Sequence, residues 1–213
     1  MQEKEKIAIF PLGLVLLPHM FLPLHIFEDR YKEMINLCIK EEKDFGIIYY
    51  SGEKLSEIGC TAKITNIEAT FKDGQMDIVT EGIRRFKIDK LYNDKTYLEA
   101  DITYFDDEYE TEGEALDLSR KQGANALKEI MELYSGEKAD EFIDEFDAKF
   151  ISFLIITNGG FNLEEKQAFL EMKNTKERLE KGIKSLENLL ERLKATRSIQ
   201  SIIKSNGYLP SKH

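Results

Sequence analysis

Apolar positions alternate through the first hundred residues and recur at helical spacing in the second hundred. Ile7–Phe10 and Leu14–Leu17 are short apolar runs that predict strands. Over Arg30–Glu42, residues Tyr31, Met34, Ile35, Cys38 and Ile39 fall at i, i+3, i+4, i+7 and i+8, one face of an amphipathic helix. Phe45–Tyr50 reads as a buried strand. Ala62 and Ile64 share one parity while Ile67, Ala69 and Phe71 share the other, so a phase slip near Thr65–Asn66 predicts a bulge. Asp73-Gly74 is a hairpin signal joining that strand to Met76–Thr80. Gly82 then breaks the run, and Arg84, Phe86 and Ile88 alternate beyond it. After a turn at Asn93-Asp94, Leu98, Ala100, Ile102 and Tyr104 alternate again. Short strands, close turns and one helix predict a small barrel rather than a parallel sheet.

The pattern changes after a run of seven acids and no base from Asp101 to Glu114, and Asp106–Gly113 reads as a linker. Ala115–Tyr134 predicts a helix ended by Ser135-Gly136. Glu137–Asn158 predicts a second, with Phe142, Phe146, Phe150 and Phe153 as its core stripe and Gly159-Gly160 as its stop. Asn162 with Glu165 spells a capping box, and Asn174 with Glu177 repeats it. The last helix runs to about Lys204 on a stripe of Leu179, Ile183, Leu186, Leu190 and Leu193. Packing inside the bundle is favoured for that stripe over the seam of a homodimer, because it spans only two heptads. The predicted fold class is α+β: a β-barrel with one inserted helix over residues 1–108, then an α-helical bundle over residues 109–213.

Charge and composition narrow the function. Among 213 residues, 30 bases and 40 acids give a net charge of −10. A chain this acidic repels a phosphate backbone unless it gathers a basic patch, so no nucleic-acid partner is expected. Ile7–Phe27 is long enough for a membrane span and lacks Asp, Glu, Lys and Arg, but it holds Pro11, Pro18 and Pro23. Each proline costs about 3 kcal/mol inside a helix. With no net-positive flank and no small-residue cleavage site, the expectation is a cytoplasmic protein that does not enter the membrane. Two cysteines, Cys38 and Cys60, and three histidines offer neither a disulfide framework nor a converging metal set. There is no G-x-x-x-x-G-K-[ST], no G-x-G-x-x-G after a strand and no G-x-S-x-G. No cofactor, metal or catalytic residue is predicted.

Three blocks carry a resemblance. The first is Phe10-Pro11-Leu12-Gly13-Leu14-Val15-Leu16-Leu17-Pro18 followed by Pro23-Leu24-His25-Ile26-Phe27-Glu28-Asp29-Arg30-Tyr31. The second is Asp73-Gly74-Gln75-Met76-Asp77-Ile78 followed by Gly82-Ile83-Arg84-Arg85-Phe86-Lys87-Ile88. The third is Glu164-Glu165-Lys166-Gln167-Ala168-Phe169-Leu170-Glu171 with Arg178-Leu179. In order and spacing they resemble the N-terminal substrate-binding domain of Lon proteases over about residues 6–195. Thr157-Asn158-Gly159-Gly160 and Gln75 depart from the family's usual pattern. The resemblance implies a PUA-like barrel followed by a helical bundle, in a stand-alone member without the ATPase and peptidase modules.

From the same resemblance, Pro11, Pro18, Glu28, Arg30, Tyr31, Gly82, Arg85 and Phe86 are expected to maintain the barrel. Pro11 and Pro18 would bracket a strand. Glu28 would face a helix N-terminus, and Arg30 would bridge that helix to the barrel. Gly82, Arg85 and Phe86 would sit where the sheet bends. The implied function is a non-catalytic module that binds exposed apolar segments of polypeptides, with polypeptide substrates or a protease as partners. Met20, Phe21 and Leu22, held between two prolines, are its candidate surface. The alternative is an RNA-binding PUA-like module, supported only by the basic last helix.

Overall fold

The computed structural model describes residues 3–108, 113–136 and 141–205. The elements are β1 (Lys4–Leu12), β2 (Phe21–Ile26), α1 (Asp29–Glu41), β3 (Phe45–Tyr50), β4 (Leu55–Thr70), β5 (Met76–Tyr92) and β6 (Leu98–Tyr104). Helices α2 (Glu114–Ser135), α3 (Ala148–Asn158), α4 (Leu163–Glu171) and α5 (Thr175–Ser205) follow, with a 3-10 turn at Glu141–Glu145. They form two compact units, Met1–Glu110 with Phe161–Asn174, and Thr111–Gly160 with Thr175–His213.

In the first unit, β5, β4, β3, β1 and β6 pair in turn, and β6 returns to β5 to close a five-stranded ring. Among the described residues only β1 and β3 run parallel, and the connection between them carries β2 and α1. The ring encloses Ile7, Ile9, Ile48, Phe86, Ala100 and Ile102. The long β4–β5 pair shifts register at Cys60/Ala62, Ile64/Asn66 and Ile67/Ala69. Each bulge bends the pair, so β5 meets β2 along Met76–Glu81 and β6 from Phe86 onward. The parity slip at Thr65–Asn66 marks the middle bulge. The Asp73-Gly74 hairpin forms as predicted, with Gly74 at φ 81° and Phe71 N donating to Gln75 O at 2.8 Å.

The structure corrects the reading of Leu14–Leu17, which is not a strand. Val15, Leu16 and Leu17 are buried irregular chain laid against β5. The backbone there is committed elsewhere: His19 N donates to Gly82 O at 2.7 Å and Gly82 N to Met20 O at 2.9 Å. Pro11 therefore lies inside β1, opposite Ile48, and Pro18 in a turn, so the two bracket no strand. Nor does Gly82 break β5, which continues through it. A Cβ on Gly82 would fall 2.1 Å from Leu17 O. The glycine is there to let two backbones meet.

The bundle expected over residues 109–213 also needs correction, because Phe161–Asn174 belongs with the barrel. Its helix α4 starts with the predicted capping box: Glu165 N donates to Asn162 Oδ1 and Asn162 N to Glu165 Oε2, both at 2.9 Å. Its end is held by buried Arg85, which donates to the carbonyls of Leu170 and Met172 and pairs with Asp107. The acidic stretch is thus pinned at its start, where Glu108 N also donates to Lys173 O at 2.8 Å. The rest of the predicted linker, up to residue 112, lies outside the described residues.

The second unit packs α2, α3 and α5 around Leu127, Ile130, Ile151, Phe153, Ile155, Leu179, Ile183, Leu186 and Leu190. Gly136 ends α2 in the left-handed region, as predicted. The continuous helix predicted over Glu137–Asn158 does not form. Residues 137–140 lie outside the described set, and Asp147 starts a new helix by accepting from Phe150 N at 2.7 Å. The break splits the phenylalanine stripe. Phe153 is buried, whereas Phe142 is exposed and meets Phe146 edge-on, and Phe146 stacks on Phe150 at 3.9 Å.

Candidate functional site

Strand β2 is an outer strand of the barrel unit. It pairs with β5 and, among the described residues, with no other strand. The register sets Phe21 against Glu81 and His25 against Asp77. Because Gly82 N donates to Met20 O, the even-numbered residues of β2 face the β5 ladder. The odd-numbered residues turn their backbone groups to the open edge. Pro23 occupies an outward position, where its missing N–H costs no ladder bond.

The side chains alternate just as sharply. Leu22 and Ile26 are buried, whereas Phe21, Pro23, His25 and Phe27 are exposed. Phe21 is 63% exposed and Phe27 58%. His25 links the row to the β4–β5 hairpin, stacking near Phe27 at 5.9 Å and meeting Phe71 edge-on at 6.2 Å. Its Nδ1 lies 2.6 Å from Asp77 Oδ1 and its Nε2 3.1 Å from Gln75 Oε1. Two oxygen acceptors suit the doubly protonated ring, and the hydrogen bond to Asp77 raises the His25 pKa above its ordinary value. The result is an exposed aromatic row beside an unpaired strand edge.

The predicted trio is divided by this geometry. Phe21 lies on the open row, Met20 is half-buried and Leu22 points inward. His25, Phe27 and Phe71 join Phe21 in surrounding the edge, and sequence reasoning did not single them out as site residues. The signal was present: residues 21–27 are apolar or aromatic at both parities, and a strand covered on one face needs only one apolar parity.

The remaining motif residues lie away from this edge row. Tyr31 is buried and stacks on Phe10 at 4.0 Å. Arg30 pairs with Glu28 at 2.7 Å, so the predicted bridge from helix to barrel is replaced by a local pair at the start of α1. Glu28 is the α1 N-cap, but its carboxylate caps no backbone N–H. Arg85 and Phe86 lie beside the Cys60/Ala62 bulge, where β5 turns toward β6. Burial pushes the Cys38 thiol up to about 11 and also raises that of Cys60, so neither is a thiolate at neutral pH. Among the described residues, no group of three or more His, Cys, Asp and Glu could hold a metal ion. No described helix is long and apolar enough to cross a membrane.

Comparison with known proteins places this geometry in context. The profile of the ATP-dependent protease La (LON) substrate-binding domain matches residues 6–188. The Lon protease of Buchnera aphidicola is 27% identical over 214 residues, covering 95% of this chain and 27% of that protein. That of Clostridium acetobutylicum is 28% identical, covering 93% of this chain and 27% of that protein. The chain thus spans about a quarter of the length of these relatives. The N-terminal domain of a Mycobacterium avium complex Lon protease superposes with a TM-score of 0.70 at 16% identity, covering 86% of this chain and 98% of that one. A Lon N-terminal domain protein from Xanthomonas campestris gives 0.62 at 20% identity, covering 83% and 96%.

Proposed function

This chain belongs to the LON substrate-binding domain family, and from that premise we propose that it recognises polypeptides by taking their extended apolar segments along β2. The observation that carries the proposal is the exposed row of Phe21, Pro23, His25 and Phe27 beside an unpaired strand edge. A bound segment would add to the edge through its backbone and cover the aromatic row with alternate side chains. Apolar burial supplies about 25 cal/mol per Å², and ordering a flexible ligand offsets much of it. Affinities near the micromolar range follow, at about −8 kcal/mol. In this reading the module performs no chemistry on its ligand. Its partners are unfolded substrates, or a protease that receives them, in the cytoplasm.

Replacing Phe21 by Ser tests the site. Binding of an unfolded model polypeptide should fall at least about tenfold, the equivalent of 1.4 kcal/mol, with the melting temperature unchanged within about 2 °C. A lower melting temperature with intact binding by the folded fraction would make Phe21 a structural residue and remove the edge as the site. Raising salt from 50 to 200 mM should change polypeptide binding little. An RNA-binding module would instead show salt-sensitive binding to a single-stranded RNA, falling by orders of magnitude.

A further inference from the structure

The open edge of β2 is chemically interrupted at its middle. Of the residues whose backbone groups face outward, Phe21 and His25 each offer an N–H and a carbonyl, whereas Pro23 between them offers a carbonyl alone. Its ring carbon stands where an amide hydrogen would point. A carbonyl drawn up to the usual N···O distance of about 2.9 Å therefore meets carbon in place of a donor. The neighbouring residues hold Pro23 where it is. Leu22 and Ile26 are buried, and the pairing with β5 runs without a register shift from Phe21 to Ile26. The Leu22 carbonyl also accepts from the buried Thr80 Oγ1 at 3.0 Å.

Without that proline the edge would attract its own kind. Unpaired strand edges are templates for pairing with another chain, and this one runs beside an exposed aromatic row. Two copies would meet antiparallel about a twofold axis. Facing residues of the hydrogen-bonded type would then exchange both of their N–H···O bonds. In every register that engages at least two of the outward residues of each copy, Pro23 faces Phe21, His25 or the other Pro23. Symmetry repeats the clash, so two carbonyls are left facing carbon. Neither copy can bend away, because its β2 is fastened to β5.

A flexible segment meets Pro23 only once, and it is free to bulge there by placing an extra residue opposite the ring. It keeps its bonds to Phe21 and His25, which stand about 13 Å apart at ~3.3 Å per residue. We propose that Pro23 is a specificity determinant that reserves this edge for flexible chain by refusing folded strand edges, a second copy of this chain first among them. Every ligand binds less tightly for want of one donor, and the loss falls twice on a second copy. The proposal rests on the polypeptide reading for what the edge admits, and stands apart from it in what the edge refuses.

The test compares the whole chain with Pro23→Thr, which restores the donor on a polar, strand-forming residue. In sedimentation at rising concentration, Pro23→Thr should self-associate at concentrations at least about tenfold below those the parent needs. As it does so, the amides of Phe21, residue 23 and His25 should gain protection from hydrogen exchange. Pro23→Val keeps an apolar side chain in the row. At concentrations too low for self-association, it should bind reduced, carboxymethylated lactalbumin at least about twofold more tightly than the parent, because it adds a donor. Three results would overturn the proposal: association unchanged in both variants, association without protection of those amides, or polypeptide binding that Pro23→Val leaves equal or weakens. If the variants associate but neither they nor the parent bind the polypeptide, the refusal of a second copy stands and the reading of the edge as a recognition site falls.

Discussion

The barrel unit and the helical unit solve the same packing problem with the same residue and different surroundings. Each sinks one bulky side chain into space left by a pair of glycines. In the barrel, Phe86 lies where Cβ atoms on Gly46 and Gly59 would come within 2.7 Å of its ring. In the helical unit, Ile155 occupies the corresponding space, 2.8 Å from a Cβ on Gly123 and 2.7 Å from one on Gly182. The difference lies in what else stands nearby. A Cβ on Gly59 would also meet Ile47 O at 2.4 Å, and one on Gly82 would meet Leu17 O at 2.1 Å. Carbonyls fixed in a sheet or against it cannot rotate away, whereas the Cδ1 tip of Ile155 that faces Gly123 can. The barrel is therefore intolerant where the helices are forgiving.

The sharpest way to break this comparison is Gly82→Ala. Overpacking costs typically 1–3 kcal/mol and occasionally more, and an immovable carbonyl places this change at the upper end. At roughly 2–4 °C per kcal/mol for a chain of this size, the melting temperature should fall by about 6–12 °C. A fall below about 3 °C would show that Leu17 and its neighbours yield, and the contrast would collapse. A smaller effect is expected from Gly123→Ala, whose added Cβ would meet the Ile155 Cδ1 tip. Alanine gains about 1 kcal/mol of helix propensity over glycine, which offsets most of the crowding against Ile155. The net loss should stay under about 2 kcal/mol, read as the shift of a denaturant midpoint. A larger loss would mean that the helical core is as rigid as the barrel.

The smallest effect concerns His25. Its pKa is raised by the hydrogen bond to Asp77, so the pair's contribution is fully present below the unfolded value near 6.5. It is lost as pH rises through the higher folded value. Asp77→Asn should return the His25 pKa toward 6.5, seen in an NMR titration of the ring, with little change in melting temperature because the pair is exposed. An unchanged pKa would remove Asp77 as the cause.

What the sequence disclosed follows from what a pattern can encode. Tyr31, Met34, Ile35 and Cys38 announce α1 because a helix buries one face, and all four are buried. Phe45–Tyr50 and Leu98–Tyr104 match β3 and β6 because their neighbours cover them evenly. Leu14–Leu17 misleads because a buried irregular segment and a buried strand have the same composition. Gly82 misleads because a glycine that ends a strand and one that admits another backbone are the same letter. The apolar positions of α4 say that it is covered, not by what, and its partner Arg85 lies 85 residues away from Leu170. Phe21 was visible as a candidate, but the aromatic row it joins depends on register with a hairpin some fifty residues later.

The return of α4 to the barrel unit gives synthesis an order of its own. When residue 110 leaves the ribosome, every strand has been made, yet Arg85 still lacks the Leu170 and Met172 carbonyls that will hold its guanidinium. Some sixty residues must follow before they arrive, about 3–12 s at 5–20 residues per second. During that interval a nascent barrel carries an arginine that has Asp107 beside it but still waits for two of its carbonyl acceptors, a span in which a chaperone or protease can meet an unfinished domain.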